Sequence, residues 1–157
     1  MRFKLALPMQ RWLCLFALAI LASHLAVLAD EAAPTYYVQL VRGNNEDQPP
    51  APGIRLIGPK LSKSLHSVFR WKSYWEVGRR TVAVAAGAKT KVFLSKERTV
   101  EIDLSQPMKR KITAVSNGVP VCCTTQTVGE GITVIGADRD PASAWFVVVR
   151  RDKPTID

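Results

Sequence analysis

Residues 98–105, Arg98-Thr99-Val100-Glu101-Ile102-Asp103-Leu104-Ser105, alternate without a break: Val100, Ile102 and Leu104 fall on one side, Thr99, Glu101, Asp103 and Ser105 on the other. Successive side chains of a strand point to opposite faces, so this segment predicts a strand with one buried and one wet face. Upstream, Thr90 to Ser95 pairs with it across Lys96-Glu97. Downstream, Gln106-Pro107-Met108 breaks the run before Lys109 to Ser116, and Asn117-Gly118 joins that segment to Val119 to Val128. Asn and Gly most readily take the positive φ angles of a type I′ hairpin turn.

The same pattern extends both ways. Tyr36 to Arg42 is the first strand, rich in aromatic and β-branched residues, and residues 43–53 follow as an exposed proline-rich loop or a polyproline partner-binding segment. Pro59 opens the one helical stretch, where Leu61, Leu65, Val68 and Phe69 share a face. Tyr74 to Ala86 is a long strand bent at Gly78, closed by the turn Ala86-Gly87-Ala88. Gly129-Glu130-Gly131 turns the chain into Ile132 to Ile135. Ala144 to Arg150 holds Trp145-Phe146-Val147-Val148-Val149 without alternation, which predicts a strand covered on both faces. About eight short strands and one short helix predict an all-β antiparallel sandwich with an Ig-like strand count, with a small barrel as the alternative. The Cys-Trp-Cys spacing of antibody domains is missing.

The N-terminus carries a different signal. Arg2, Lys4 and Arg11 precede the apolar stretch Trp12 to Leu28, broken only by Ser23 and His24, and Val27-Leu28-Ala29 places small residues around a cleavage point. This predicts a signal peptide at residues 1–29, a lead at 30–35, one β domain at 36–154 and a tail at 155–157. A single membrane anchor is the competing reading; after cleavage no span remains. Export to the periplasm, cell surface or medium follows. Loss of Arg2, Lys4 and Arg11 takes 22 cations to 19 against 13 acids, so the net charge falls from +9 to +6. Such a surplus favours an acidic envelope protein, an acidic glycan or an anionic lipid surface, and outside the cytoplasm no nucleic acid is expected.

Cys14 leaves with the leader, and Cys122 and Cys123 remain as neighbours. Adjacent α-carbons lie ~3.8 Å apart, below the usual disulfide range of about 4.4–6.8 Å. Both are therefore expected unpaired, Cys123 in the core with Val119 and Val121, and Cys122 outside with Thr124 and Gln126. A vicinal redox-sensitive bond, or an intermolecular bond through Cys122, are the alternatives.

The strongest local bias is Phe69-Arg70-Trp71-Lys72-Ser73-Tyr74-Trp75-Glu76, followed by Arg79-Arg80. Arg70, Trp71, Lys72, Tyr74, Trp75, Arg79 and Arg80 are the candidate binding residues, as cations and rings for sugars or lipid headgroups. If Arg70 and Lys72 share one strand face and Trp71 takes the other, the outcome is a buried ring beneath snorkelling cations. Asp138 and Asp140 suggest a calcium loop at Gly136 to Pro141 but lack the other ligands of one, and as a glycosidase pair they are weaker still. His66, the one histidine after the leader, is expected to be solvated or packed. No hydrolase elbow, zinc helix, P-loop or dinucleotide turn is present, so no cofactor, metal or catalytic residue is expected.

Gly58-Pro59-Lys60-Leu61, Phe69-Arg70-Trp71-Lys72 with Tyr74-Trp75-Glu76-Val77, and Ala144 to Arg151 resemble segments of small exported bacterial proteins of unassigned activity. The resemblance implies an envelope or secreted β domain and brings no catalytic residues. The expected function is non-enzymatic: binding to, or assembling with, envelope components. The alternatives are a subunit or accessory factor of a secretion or surface-fibre system, joined through an exposed strand, and an unfamiliar enzyme using Asp138, Asp140 or Cys122.

Overall fold

The computed structural model describes residues 33–129 and 131–154, leaving aside the side chains of 137–140. The leader at 1–29, the residues up to 32, Glu130 and the tail at 155–157 lie outside the described residues. The described elements are β1 (Thr35–Asn44), β2 (Arg55–Leu56), α1 (Pro59–His66), β3 (Ser73–Ala83), β4 (Lys89–Phe93), β5 (Arg98–Asp103), β6 (Lys109–Ser116), β7 (Val119–Thr127), β8 (Thr133–Asp140) and β9 (Ser143–Arg150). They build two antiparallel sheets: sheet A in the order β2-β3-β1-β9-β8, and sheet B in the order β4-β5-β6-β7. Neither closes on itself, so the architecture is a sandwich and not a barrel.

Sheet A is covered on both faces. One core, between the sheets, joins Val38, Leu40, Val147 and Val149 to Val92, Val100, Ile102 and Ile112. The other joins Val41, Tyr74, Phe146 and Val148 to Ile57, Leu61 and Leu65. This double burial explains the unbroken apolar run of β9. Sheet B has one core face only, which is why β5 alternates. The Asn117-Gly118 turn takes the expected positive φ values of 49° and 81°.

Four boundaries differ from the sequence expectation. β1 continues through Gly43 and Asn44, and the exposed loop starts at Asn45. The bare α-carbon of Gly43 admits the Trp71 ring; a Cβ there would lie 2.7 Å from it. Asn44 is held by the Trp75 indole N–H, which donates to its Oδ1 at 2.8 Å. β3 stops at Ala83, short of the expected Ala86, and its pairing steps from Leu40 opposite Gly78 to Val41 opposite Glu76, so Val77 is an extra residue beside the expected bend at Gly78.

The helix is shorter than the apolar spacing suggested. Pro59 presets its first turn, Leu61 and Leu65 are buried, but Val68 is 71% exposed. The N–H groups of Val68 and Phe69 both donate to Leu65 O, so the chain leaves the helix axis before Val68 completes the stripe. Phe69 returns to the core against Phe146, ring centroids 4.6 Å apart. Finally, residues 136–140 form strand, not the expected loop: β8 runs to Asp140, Asp138 is the extra residue at a register shift, and Pro141-Ala142 makes the turn. Strand continuation there satisfies the main chain of Ser143 and Ala144.

Candidate functional site

The aromatic and basic residues of segment 69–80 do not form one exposed patch. Residues 69–72 connect α1 to β3 outside any strand, so the expected alternation of Arg70 and Lys72 against Trp71 does not apply. Tyr74 and Trp75 are 1% and 5% exposed. Both serve the cores: the Tyr74 hydroxyl donates to Phe69 O at 3.0 Å, burial raises its pKa, and Trp75 is tied to Asn44. Trp71 is half-buried against Gly43. Arg70, Lys72 and Arg80 remain exposed, and Lys72 is neutralised by Asp47 at 2.8 Å. Rings that pack inward cannot stack on sugars, so Tyr74 and Trp75, expected as binding residues, belong to the interior instead.

Arg79 belongs to a buried network on the helix side of sheet A. Register places Glu76 opposite Val41 and Arg79 opposite Gln39. Arg79 donates to Glu76 Oε2 through Nη2 at 2.6 Å and Nε at 3.1 Å, the Gln39 amide donates to the same oxygen, and Arg55 lies 3.7 Å from Oε1. Nearby, Arg150 is 3% exposed and faces Asp152 at 3.7 Å, which Lys60 holds at 3.0 Å; desolvation lowers the Arg150 pKa. A carboxylate so enclosed by donors is a counter-ion within the fold, not a base awaiting substrate.

Two further cationic features went unrecognised in the sequence. Arg110 is completely buried between the sheets, over the Tyr36 ring at 5.6 Å and donating to Thr133 Oγ1 at 2.8 Å and Gln126 Oε1 at 3.0 Å. Its position was legible, since Arg110, Ile112 and Ala114 fall on one face of β6. Arg42 and Arg98 both lie over the Trp145 ring, at 5.6 and 5.7 Å. His66 is exposed on α1 and meets Tyr74 edge-on at 4.8 Å.

The outer face of sheet B is the open surface. Register sets Lys91, Glu101, Thr113 and Cys123 in one row, and Lys89, Asp103, Lys111 and Thr125 in the next. Lys89 donates to Asp103 at 2.8 Å and, with Ser105, holds that carboxyl well below the usual range. A shallow depression of about 580 Å³ lies beside β7, lined by residues including Thr113, Val121, Cys122 and Cys123.

β7 is the edge of this sheet, and seven of its nine residues are exposed. Edge strands are commonly guarded by charge. β2 carries Arg55, β4 carries Lys89 and Lys91, and β8 contains Asp138, Arg139 and Asp140 in its sequence, whereas Val119-Pro120-Val121-Cys122-Cys123-Thr124-Thr125-Gln126-Thr127 has no charged residue. Its guards, Pro120 and a bulge at Val121, sit in the first half alone.

Cys122 and Cys123 are both exposed free thiols. The expected core position of Cys123 is corrected, because the bulge puts Cys122 opposite Ala114 and Cys123 opposite Thr113 on the outer face. The first half of the strand is left uncovered, and Val119 and Val121 are 62% and 43% exposed, whereas Gln126 in its second half meets Thr133 of β8.

The side chains of Asp138 and Asp140 lie outside the described residues, and with them the calcium and glycosidase readings. Among the described residues no three His, Cys, Asp or Glu side chains converge as metal ligands, and no helix is long and apolar enough to cross a membrane. The chain matches no protein-family model, no curated protein and no solved structure.

Proposed function

We propose that this is a non-enzymatic exported β-sandwich that assembles with components of the cell envelope, and that the joining surface is the β7 edge. The observation that carries this reading is the contrast among the sheet edges: β7 is nine residues long, exposed and without charge. Unpaired N–H and C=O groups along such a strand are a template for adding another strand, with side-chain pockets supplying selectivity. The neighbouring depression extends the contact surface onto sheet B. Compared with the basic aromatic segment, β7 offers a surface that the fold leaves unused.

The test is capture of envelope components by the tagged chain, set against Thr125→Lys. Thr125 is exposed, and a lysine there places the usual edge guard on the unguarded half of β7. Capture is expected to fall about tenfold, equivalent to ~1.4 kcal/mol, with thermal unfolding unchanged. Equal capture by both forms would move the joining surface elsewhere.

A further inference from the structure

We propose that Arg150 and Lys60, on the helix side of sheet A, form a binding site for a phosphate monoester, and that Asp152 is the resident counter-ion which the phosphate displaces. The site is independent of the β7 edge, which belongs to sheet B.

The strand pattern sets Arg150 on the helix-side face. Phe146 and Val148 of β9 pack in that core, and with a period of two Arg150 is the next residue on the same side, opposite Tyr37 of β1. The apolar row ends at Val148, and a guanidinium takes the following place.

Arg150 is 3% exposed, yet its charge is poorly answered. Among the described residues Nε is buried with no acceptor, and Nη1 stops 3.7 Å from Asp152 Oδ2, outside hydrogen-bond reach. The same oxygen accepts from Lys60 Nζ at 3.0 Å. A buried charge that has given up its hydration is normally paired and hydrogen-bonded in return. One carboxylate shared between two cations leaves Arg150 short of an acceptor.

The surrounding charge has the same sign. Glu76 holds Arg55 and Arg79 as Asp152 holds Lys60 and Arg150, and Arg79 lies close enough for its charge to act on Arg150. Four cations against two carboxylates leave a surplus of two positive charges. A ligand carboxylate would bring no more than Asp152 already supplies. A phosphate monoester carries about −2 at neutral pH and three strong acceptor oxygens, which suit the planar fork of an arginine and the point charge of a lysine together.

Asp152 is free to leave. It follows the last residue of β9 by two, takes no part in strand pairing, and its side chain is 43% exposed. Its departure therefore breaks no ladder bond and opens the place of its carboxylate, between Lys60 in the first turn of α1 and Arg150 at the end of β9. The Lys60 side chain, 68% exposed, leaves that place open to solvent. A soluble phosphate ester and a lipid whose headgroup is a phosphate monoester present the same chemistry here.

The full chain is titrated at constant ionic strength with glycerol 3-phosphate and, separately, with phosphatidylcholine vesicles with and without phosphatidic acid. Binding is read by calorimetry and by the Arg150 Nε–H proton resonance. Saturable binding that shifts this resonance is expected, about tenfold weaker in Lys60→Gln and about tenfold tighter in Asp152→Asn, where the competing carboxylate is gone. Arg150→Gln should abolish it; since Arg150 is buried, the deciding variants are those at Lys60 and Asp152, whose side chains reach solvent. Lys72→Gln and Asp47→Asn make the same charge changes at an exposed bridge and should leave binding within about twofold. Binding of glycerol 3-phosphate alone would support a soluble ester as the ligand, and binding of phosphatidic acid vesicles with the same order of variants a lipid headgroup. No saturable binding of either probe, an unmoved Nε–H resonance, indifference to Lys60→Gln and Asp152→Asn, or equal effects from the Lys72 and Asp47 variants would overturn the proposal. None of these results bears on the β7 edge, which Thr125→Lys tests.

Discussion

Phe146→Ala is expected to destabilise the protein by about 4 kcal/mol, the scale found when a buried aromatic ring is removed and its cavity only partly collapses. Phe146 is 2% exposed on β9 in the helix-side core of sheet A, which Leu61 and Leu65 of α1 share: its ring lies 4.6 Å from Phe69, in the segment after α1, and 6.0 Å from Tyr74 on β3 by centroid, and it borders the space above Gly43. Its removal loosens α1 and the 69–72 segment together. Thermal unfolding should fall by about 15 °C for a domain of this length. A loss below about 1 kcal/mol would mean that the helix layer is not anchored through this ring.

Glu76→Ala should cost about 3 kcal/mol. Removing one partner of a buried ion pair strands the other charge, an effect of roughly 3–5 kcal/mol when both are enclosed. The low end applies because the Arg79 side chain keeps 23% exposure and Arg55 keeps 55%, so water screens part of the loss. Gln39, buried at 1%, also loses the acceptor for its amide. Lys72→Ala is the control: its bridge to Asp47 is open to solvent on both sides and should change stability by less than about 1 kcal/mol. Similar losses in the two variants, measured by denaturant unfolding, would show that the Glu76 network carries no special weight.

The fold was legible in the sequence wherever one local rule acted alone. The alternation of Val100, Ile102 and Leu104, the Asn117-Gly118 turn and the apolar run of β9 each report a single cause, namely one covered face, a positive φ pair and two covered faces. Reading failed where a distant partner decided. Gly43 looks like the start of a loop until Trp71 is seen to need its bare α-carbon. Gly136 to Asp140 reads as a turn until β9 supplies a strand to pair with.

The candidate site suffered from the same blindness. Tyr74 and Trp75 beside cations look like a binding patch, yet sheet A is covered on the side of each ring. Strict alternation from Val119 predicts Cys123 in the core, but one extra residue at Val121 reverses the face of every residue after it. The absence of charge from residues 119–127 was plainly visible. Its meaning depended on knowing that β7 ends a sheet, which the order of strands alone reveals.

Amide hydrogen exchange along β7 tests most directly whether this edge is open for pairing. The outward amides of Cys123 and Thr125 are expected to exchange quickly while those of Cys122 and Thr124, bonded to β6, exchange slowly. Slow exchange at Cys123 and Thr125 would mean that the chain covers its own edge, and would contradict the account.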